Sequence, residues 1–340
     1  MSIRHGTRHF PDNRLDAYNL KLEQNGGFVG DRVRSKAFTL ILDGLREEAR
    51  RSGPDPLGDT ASEDRPSLDD LLERPGSEAG AVVARAVDLY AAAFADVVRR
   101  FLAEDEWRGT ERVVVGGGLR ESRLGKEAIR RAGALLRAGG HTVEVLPIRA
   151  DPDEAALLGA LHLLPLGERD RAFLAVDIGG GNIRAGVVVP PEVGDLEGRV
   201  LFREHWRHRK EPVGRDDMVG RMVGMLSALV ERAEADGLAL APFVGIGCPG
   251  EIQADGAIAS GTQNLPGHWQ EPDFNLPTRV AKSLGRIGGE PVSVLLHNDA
   301  VLQGLSELTR MRDVSRWGVL TIGTGLGNAR FTSTEAWASV

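Results

Sequence analysis

The stretch Ala172-Phe173-Leu174-Ala175-Val176-Asp177-Ile178-Gly179-Gly180-Gly181-Asn182-Ile183-Arg184-Ala185-Gly186-Val187-Val188-Val189 decides how this chain is read. An apolar, β-branched run enters three glycines and leaves as a second such run. That pattern predicts strands over 172–177 and 183–189 joined by a glycine turn. Dinucleotide and Walker loops feed a helix, and this one feeds a strand. Without Cβ atoms, the backbone N–H groups of Gly179, Gly180, Gly181 and Asn182 can approach an anion closely. Asp177, at the strand end, is a candidate Mg²⁺ ligand, directly or through water. An ordinary glycine hairpin is the competing reading.

Two further glycine loops follow apolar strands. Val319–Ile322 enters Gly323-Thr324-Gly325-Leu326-Gly327, with 328–331 expected to return as a strand and Thr324 adding a hydroxyl donor. Val113–Val115 enters Gly116-Gly117-Gly118. Two hairpins of the 177–182 type would grip a triphosphate from both sides, a more specific signal than either loop alone. Between them, Asn298-Asp299 follows the apolar run 292–296 and precedes a helix expected over 300–309. Asp299 reads either as the cap of that helix or as a general base that takes a proton from a substrate hydroxyl. Gly261-Thr262-Gln263-Asn264-Leu265-Pro266-Gly267-His268-Trp269 offers amides, hydroxyls and an aromatic ring, as a sugar site requires. A surface loop with a packed Trp269 explains it as well.

The 340 residues suggest two domains, and the alternation of strands and helices suggests α/β. A net charge of −7 argues against general affinity for nucleic acid or anionic membrane, so the run Arg203–Lys210 reads as a solvated face. Cys248 is the only cysteine, which excludes an intrachain disulfide and a multi-cysteine zinc site. No signal core or run of membrane-spanning length is evident, so a cytoplasmic location is the default expectation. Helices are expected over 36–50, 123–138, 218–235 and 274–284. Another carries the stripe Val82, Ala86, Leu89, Ala93, Val97, Phe101. Asp151-Pro152-Asp153 starts a helix that runs to Leu164. Strands are expected over 142–147, 198–206 and 242–247, and a loop over 51–66.

Together these motifs resemble the ROK family of sugar kinases, within the actin–hexokinase–chaperone ATPase superfamily. Residues 172–189 look like its first phosphate loop and Gly323–Gly327 like its second. Gly245–Gly250 is similar to its Gly-x-Pro-Gly segment, and Asn264–Gly267 to its Asn-Leu sugar loop. His297-Asn298-Asp299-Ala300 is similar to its Glu-Asn-Asp-Ala segment. Gly116–Gly118 resembles the adenosine-binding glycines and Asp153–Leu164 the closing helix. The resemblance implies two actin-like (ribonuclease H-like) domains around a central cleft. It implies ATP and Mg²⁺ as cofactors and a small sugar as partner, and it leaves a homodimer open. The family's zinc-binding cysteine cluster is absent here, as the single cysteine requires, so no structural zinc is expected. Asp299 would be the base, and Asn264, Asn298 and Gly261 would hold sugar. Asp177 would place Mg²⁺.

The order departs from the family pattern. The adenosine segment and closing helix come first here, so the chain reads as a circular permutant, with fused or partial kinases as the rival. Domain one is expected over 166–298 with helix 152–164 packed on it, and domain two over 299–340 plus 1–150. The loop at 116–118 is expected at the adenosine end of a site whose phosphate end is 179–181 and 323–327. Gly181 stands where Thr is usual and His297 where Glu is usual, and no Glu-x-Gly-His segment is found. His5 or His9 is a candidate substitute, against a solvated N-terminal segment. These gaps motivate a second reading, a non-catalytic sugar or nucleotide sensor. No pair of helices over 1–35 supports a helix-turn-helix repressor.

Overall fold

The computed structural model describes residues 3–24, 26–192, 197–211 and 213–334. They form two compact units, Met1–Asn19, Arg149–Ser315 and Gly327–Val340 in one, Leu20–Ile148 and Arg316–Leu326 in the other.

The first unit is built on the stretch that opened the reading. Strands Ala172–Ile178, Ile183–Val189 and Arg199–Trp206 form an antiparallel meander. Leu240–Cys248 and then Ser293–Asn298 add in parallel on the other side of Ala172–Ile178. The strand order 3-2-1-4-5, antiparallel then parallel, is that of the ribonuclease H-like, actin-like fold. Every residue of Ala172–Ile178 is buried, as a central strand covered on both faces requires. Side chains alternate across it. Leu174, Val176 and Ile178 pack in one core with Met218, Met222 and Leu226 of helix Arg215–Ala235. The opposite face takes helices Ala155–Gly159 and Asp299–Leu305, where Gly245 abuts Ala160 and Gly247 abuts Leu302. These two helices meet at Gly159, and a Cβ there would lie 1.8 Å from the Leu302 carbonyl oxygen.

The second unit holds three parallel strands, Arg316–Ile322, Arg112–Gly116 and Glu144–Pro147. Helices Ser35–Arg50, Glu78–Ala103 and Arg123–Ala138 pack around a second core. The stripe of the long helix is Val83, Val87, Tyr90, Phe94, Val98 and Phe101, each contributing about 1.5–3 kcal/mol by burial. Ala86, Val97 and Phe101 of the expected stripe are buried, Val82 and Ala93 are half-buried, and Leu89 is exposed. Alanines throughout the helix leave the apolar pattern broad, so sequence spacing alone does not fix its centre.

The expected elements over 36–50, 123–138, 172–177, 183–189 and 198–206 are present within a residue or two. Four features differ. Helix 153–164 is α-helical only over Ala155–Gly159 and tightens into a 3-10 turn over Ala160–Leu163. The expected helix over 300–309 spans Asp299–Leu305 and gives way to a 3-10 turn at Leu308–Arg310. Helix Arg65–Leu72 begins inside the expected loop, started by the Asp64 cap and Pro66. The polar N-terminal region contains strand Asn13–Tyr18, which pairs antiparallel with Leu326–Ser333.

The units also divide the chain differently from the expected domains. Helix Asp299–Leu305 packs on Ala155–Gly159 and Leu240–Cys248, so it belongs to the first unit. Residues 5–7 hydrogen-bond to Leu296 and His297, which carries the N-terminal segment there too. Residues 335–340, expected in domain two, lie outside the described residues.

Gly159→Ala should cost about 1–3 kcal/mol of stability through overpacking, seen as a lower urea midpoint with an unchanged m-value. An unchanged midpoint would show that the two helices can separate freely at this point.

Candidate active site

In the first unit the parallel register brings the candidate groups to one edge. Asp177 pairs with Gly247, and Gly247 with His297, at the carboxyl ends of three adjacent parallel strands. Ligands of open α/β sheets bind at such ends. Gly247, between the two outer strands, has no side chain. A Cβ there would lie 3.4 Å from Asp299 Cα and 3.6 Å from the Val176 carbonyl oxygen. Gly247 thus lies at van der Waals distance from both Asp299 and the Asp177 strand.

Asp299 is the first residue of its helix but does not cap it. Asn298 does, its Oδ1 accepting from Ala300 N at 3.0 Å and Val301 N at 3.3 Å. The competing role for Asp299 thus falls to its neighbour. Burial, reinforced by the charge of Asp177, pushes the Asp299 carboxyl up to about 7, while the amides of Ala300 and Asp299 itself oppose the rise. Its surface is not closed, and a solvent-facing edge remains. A partly accessible carboxylate tuned near neutrality has the properties of a general base.

Asp177 is 3% exposed. Its Oδ2 accepts from Arg184 Nη1 at 3.2 Å, and Arg184 Nε donates to Asp153 Oδ1 at 2.5 Å. Burial raises the Asp177 carboxyl, Arg184 pulls it down, and Asp153 raises it again. Its Oδ1 is buried and accepts no hydrogen bond among the described residues. An orphaned carboxylate oxygen is the donor type that a Mg²⁺ shell requires, so Asp177 fits the ion. Arg184 was not singled out from sequence. Its signal was the hairpin register, which places residue 184 directly opposite 177.

The first glycine loop is held by its carbonyls. Gly179 N donates to Asn182 O at 2.8 Å and closes the turn. His208 Nε2 donates to Gly179 O at 2.9 Å, Arg209 Nη2 to Gly180 O at 3.3 Å, and Arg209 N to Gly181 O at 3.2 Å. His205 Nε2 donates to Asn182 Oδ1 at 2.9 Å. With the carbonyls engaged, the amides of Gly180, Gly181 and Asn182 have no protein acceptor among the described residues. Such amides form an anion-binding concavity. The basic run 203–210, read from sequence as a solvated face, supplies these clamps. A Cβ on Gly181 would lie 3.2 Å from Arg209 Nε, so the guanidinium takes the space beside that glycine.

The sugar candidates separate. Gly261 has φ +91°, and a Cβ would lie 2.8 Å from Gly250 Cα. Gly250 O in turn accepts from Asn298 Nδ2 at 3.0 Å. Gly261 and Asn298 are thus linked through Gly250, but the Asn298 side chain is committed to these bonds rather than left open as expected. Asn264 is exposed and makes no hydrogen bond among the described residues. Trp269 is 1% exposed, packs edge-on against Phe274 and donates to Pro266 O, so it offers no aromatic face.

The expectation of a solvated N-terminal segment is overturned. Leu296 N donates to His5 Nδ1 at 3.1 Å and Gly6 N donates to Leu296 O at 3.0 Å. His297 is fully buried beside Phe10 and Tyr18. Its Nδ1 accepts from Asn298 N at 2.7 Å, so Nε2 carries the proton and donates to Thr7 O at 2.8 Å. Burial drives its pKa down to about 4 and keeps it neutral. His297 therefore braces Asn298 rather than supplying charge. His9 is exposed.

In the second unit, two glycine loops share one end of the sheet. Strands Arg316–Ile322 and Arg112–Gly116 are parallel neighbours that lead into Gly323-Thr324-Gly325 and Gly117-Gly118. Gly117 has φ +85°, and a Cβ there would lie 2.1 Å from Ile322 O, so only glycine fits. Gly323 N donates to Gly325 O at 2.9 Å, and Gly323 O accepts from Ser35 N at 2.9 Å. Thr324 is half-buried, and Gly327 belongs to the first unit.

Comparison with known proteins agrees with these motifs. The chain is 28% identical to a glucokinase of Thermotoga maritima over 162 residues, 47% of this chain and 44% of that enzyme. The resemblance is to sugar kinases of the ROK family. A ROK family glucokinase from Streptomyces griseus, solved in complex with glucose and AMPPNP, matches at 26% identity. That match covers 46% of this chain and 43% of that one, with a TM-score of 0.35. An inorganic polyphosphate/ATP-glucomannokinase from Arthrobacter sp. strain KM matches at 23% identity, covering 47% and 58%, with a TM-score of 0.36. The match thus spans less than half the length of the curated relative. No family model matches the chain. Among the described residues, no helix is long and apolar enough to cross a membrane.

Arg184→Met should cost about 3–5 kcal/mol at pH 8, because Asp177 would keep its buried charge without a cation. Loss of the arginine raises the folded-state pKa of Asp177 further above its unfolded value, so the deficit should shrink as pH falls. Denaturant unfolding at pH 8 and pH 5 reads this out, and a pH-independent deficit would contradict it.

Proposed function

We propose that this protein transfers the γ-phosphoryl group of ATP to a hydroxyl of a hexose or hexose derivative. The observation that carries this reading is Asp299, a carboxylate released from capping by Asn298 and raised to about 7 beside a second buried carboxylate. The 28% identity to a glucokinase supports the substrate class. Asp299 accepts the hydroxyl proton as the sugar oxygen attacks phosphorus. Asn264 and the Gly261 turn orient the sugar, with Asn298 fixing that turn through Gly250. The amides of Gly180, Gly181 and Asn182 hold phosphate oxygens, with Gly179 closing the turn. Gly323, Thr324, Gly325 and Gly327 hold phosphate through the second hairpin, and Gly116, Gly117 and Gly118 bind the adenosine end. Asp177 holds Mg²⁺, which when bound neutralises phosphate charge. Positioning and charge neutralisation supply most of the rate in such a reaction.

The same reading includes circular permutation. Its support is the pairing of the late strand Arg316–Ile322 with the early strand Arg112–Gly116, and of Leu326–Ser333 with Asn13–Tyr18. A cytoplasmic location goes with it. One observation favours the sensor alternative: the space beside Gly181 holds the Arg209 guanidinium where a hydroxyl side chain would stand.

Purified protein incubated with Mg²⁺-ATP and a panel of hexoses, amino sugars and N-acetyl sugars should release ADP in a sugar-dependent manner. Asp299→Asn should reduce kcat/KM by about 10²–10⁴. A sugar that raises the melting temperature without ADP release would replace the kinase by the sensor.

The base must be ionised to act, so kcat/KM of the wild type should rise with pH on a limb centred near 7 rather than near 4. The native carboxyl also holds its proton above the unfolded pKa, so its ionisation destabilises the fold as pH rises from about 4 to above 7. Asp299→Asn should therefore raise the melting temperature at pH 8, by roughly 2–4 °C per kcal/mol relieved, and leave it nearly unchanged at pH 4.

A further inference from the structure

The first unit contains a pocket of about 450 Å³ whose lining includes none of the candidate site residues. Leu158 lies in the sheet-facing helix and Leu161 in the 3-10 turn after it, while Leu305, Leu308 and Met311 lie at and beyond the far end of the helix that begins at Asp299. Pro190 and Pro191 add to this apolar lining.

The polar part of the wall is uneven. Glu307, 1% exposed, accepts from Arg149 N at 2.7 Å, Ala150 N at 3.2 Å and Arg310 Nη1 at 2.9 Å. Glu197 accepts from Thr309 Oγ1 at 3.0 Å and Arg149 Nη1 at 3.4 Å. Both carboxylates are thereby satisfied. Arg169 is not. Its Nε and Nη2 are buried and have no hydrogen-bond partner among the described residues, and it forms no ion pair with Asp12, the remaining carboxylate of the lining. His162 lies close enough for the Arg169 charge to be felt and donates to the Leu305 backbone, while burial keeps it neutral with a pKa near 4. It therefore adds no second positive charge.

Arg169 is half-buried, and two guanidinium nitrogens that are buried with no partner among the described residues are costly unless something pairs with them. A pocket of this volume, with an apolar wall and a guanidinium that has no partner among the described residues, is complementary to an amphipathic anion. We propose that it is a second ligand site, for a small molecule bearing one oxyanion on an apolar body, with Arg169 receiving the oxyanion. The helix Asp299–Leu305 ends at this pocket and begins at the proposed base, so occupancy would brace the helix that carries Asp299. The binding itself does not depend on the kinase reading.

Titration calorimetry with octanoate and phenyl phosphate tests the site, with octanamide as the uncharged control. Saturable binding of one or both anions is expected, at least tenfold tighter than octanamide. Arg169→Met should abolish this preference and raise the melting temperature of the unliganded protein, because it removes an unpaired charge. Leu161→Trp, which fills the pocket, should weaken both anions and amide at least tenfold. Sugar-dependent turnover of Arg169→Met without added anion should match wild type. Absence of saturable binding by either anion at millimolar concentration, or equal affinity in wild type and Arg169→Met, would overturn the proposal. Neither outcome bears on the activity assigned to Asp299.

Discussion

The site in the first unit depends on the close packing of a helix against the sheet at Gly247. That glycine lies between the Asp177 strand and the strand that delivers Asp299, on the face covered by two helices. Because nothing projects there, the helix beginning at Asp299 can settle against the sheet. Two carboxylates are then held where burial disfavours both charges. Arg184, itself held by Asp153, restrains the rise at Asp177, while Asp299 is left to respond near neutral pH.

Remote parts of the chain complete this arrangement. His5, Gly6 and Thr7 bond to the backbone of Leu296 and to the His297 ring. His297 in turn fixes the amide of Asn298, and Asn298 caps the helix of Asp299 and holds Gly250. The order runs from the N-terminal segment through two buried polar side chains to the proposed base. A buried polar chain of this kind is favourable only when every member is satisfied. Here the His297 tautomer satisfies both ring nitrogens.

Much of the fold was legible in sequence. The β-branched runs around Gly179–Asn182, the spacing of helices 36–50 and 123–138, and the apolar run before Asn298 each carry a local signal. Strand Asn13–Tyr18 was not legible, because its alternation is short and its partner lies more than 300 residues away. Trp269 looked equally like a sugar platform and a core residue, since only packing against Phe274 distinguishes them. The basic run at 203–210 carried no local sign that His208 and Arg209 would clamp glycine carbonyls, because that depends on how the edge strand ends.

Sequence alone determined the three glycine loops, the carboxylates at strand ends and the α/β alternation, since each follows from residue type and near-neighbour spacing. Tertiary structure decided which of two adjacent residues caps and which remains available. Asn298 and Asp299 are both good caps, and the choice rests on the buried acceptor at Gly250 that holds Asn298 in place. It also decided the charge state, because the rise at Asp299 comes from burial and from Asp177, groups that local sequence does not bring together. Unit membership was decided in the same way, by the packing of Asp299–Leu305 on Ala155–Gly159 at Gly159 rather than by the order of motifs along the chain.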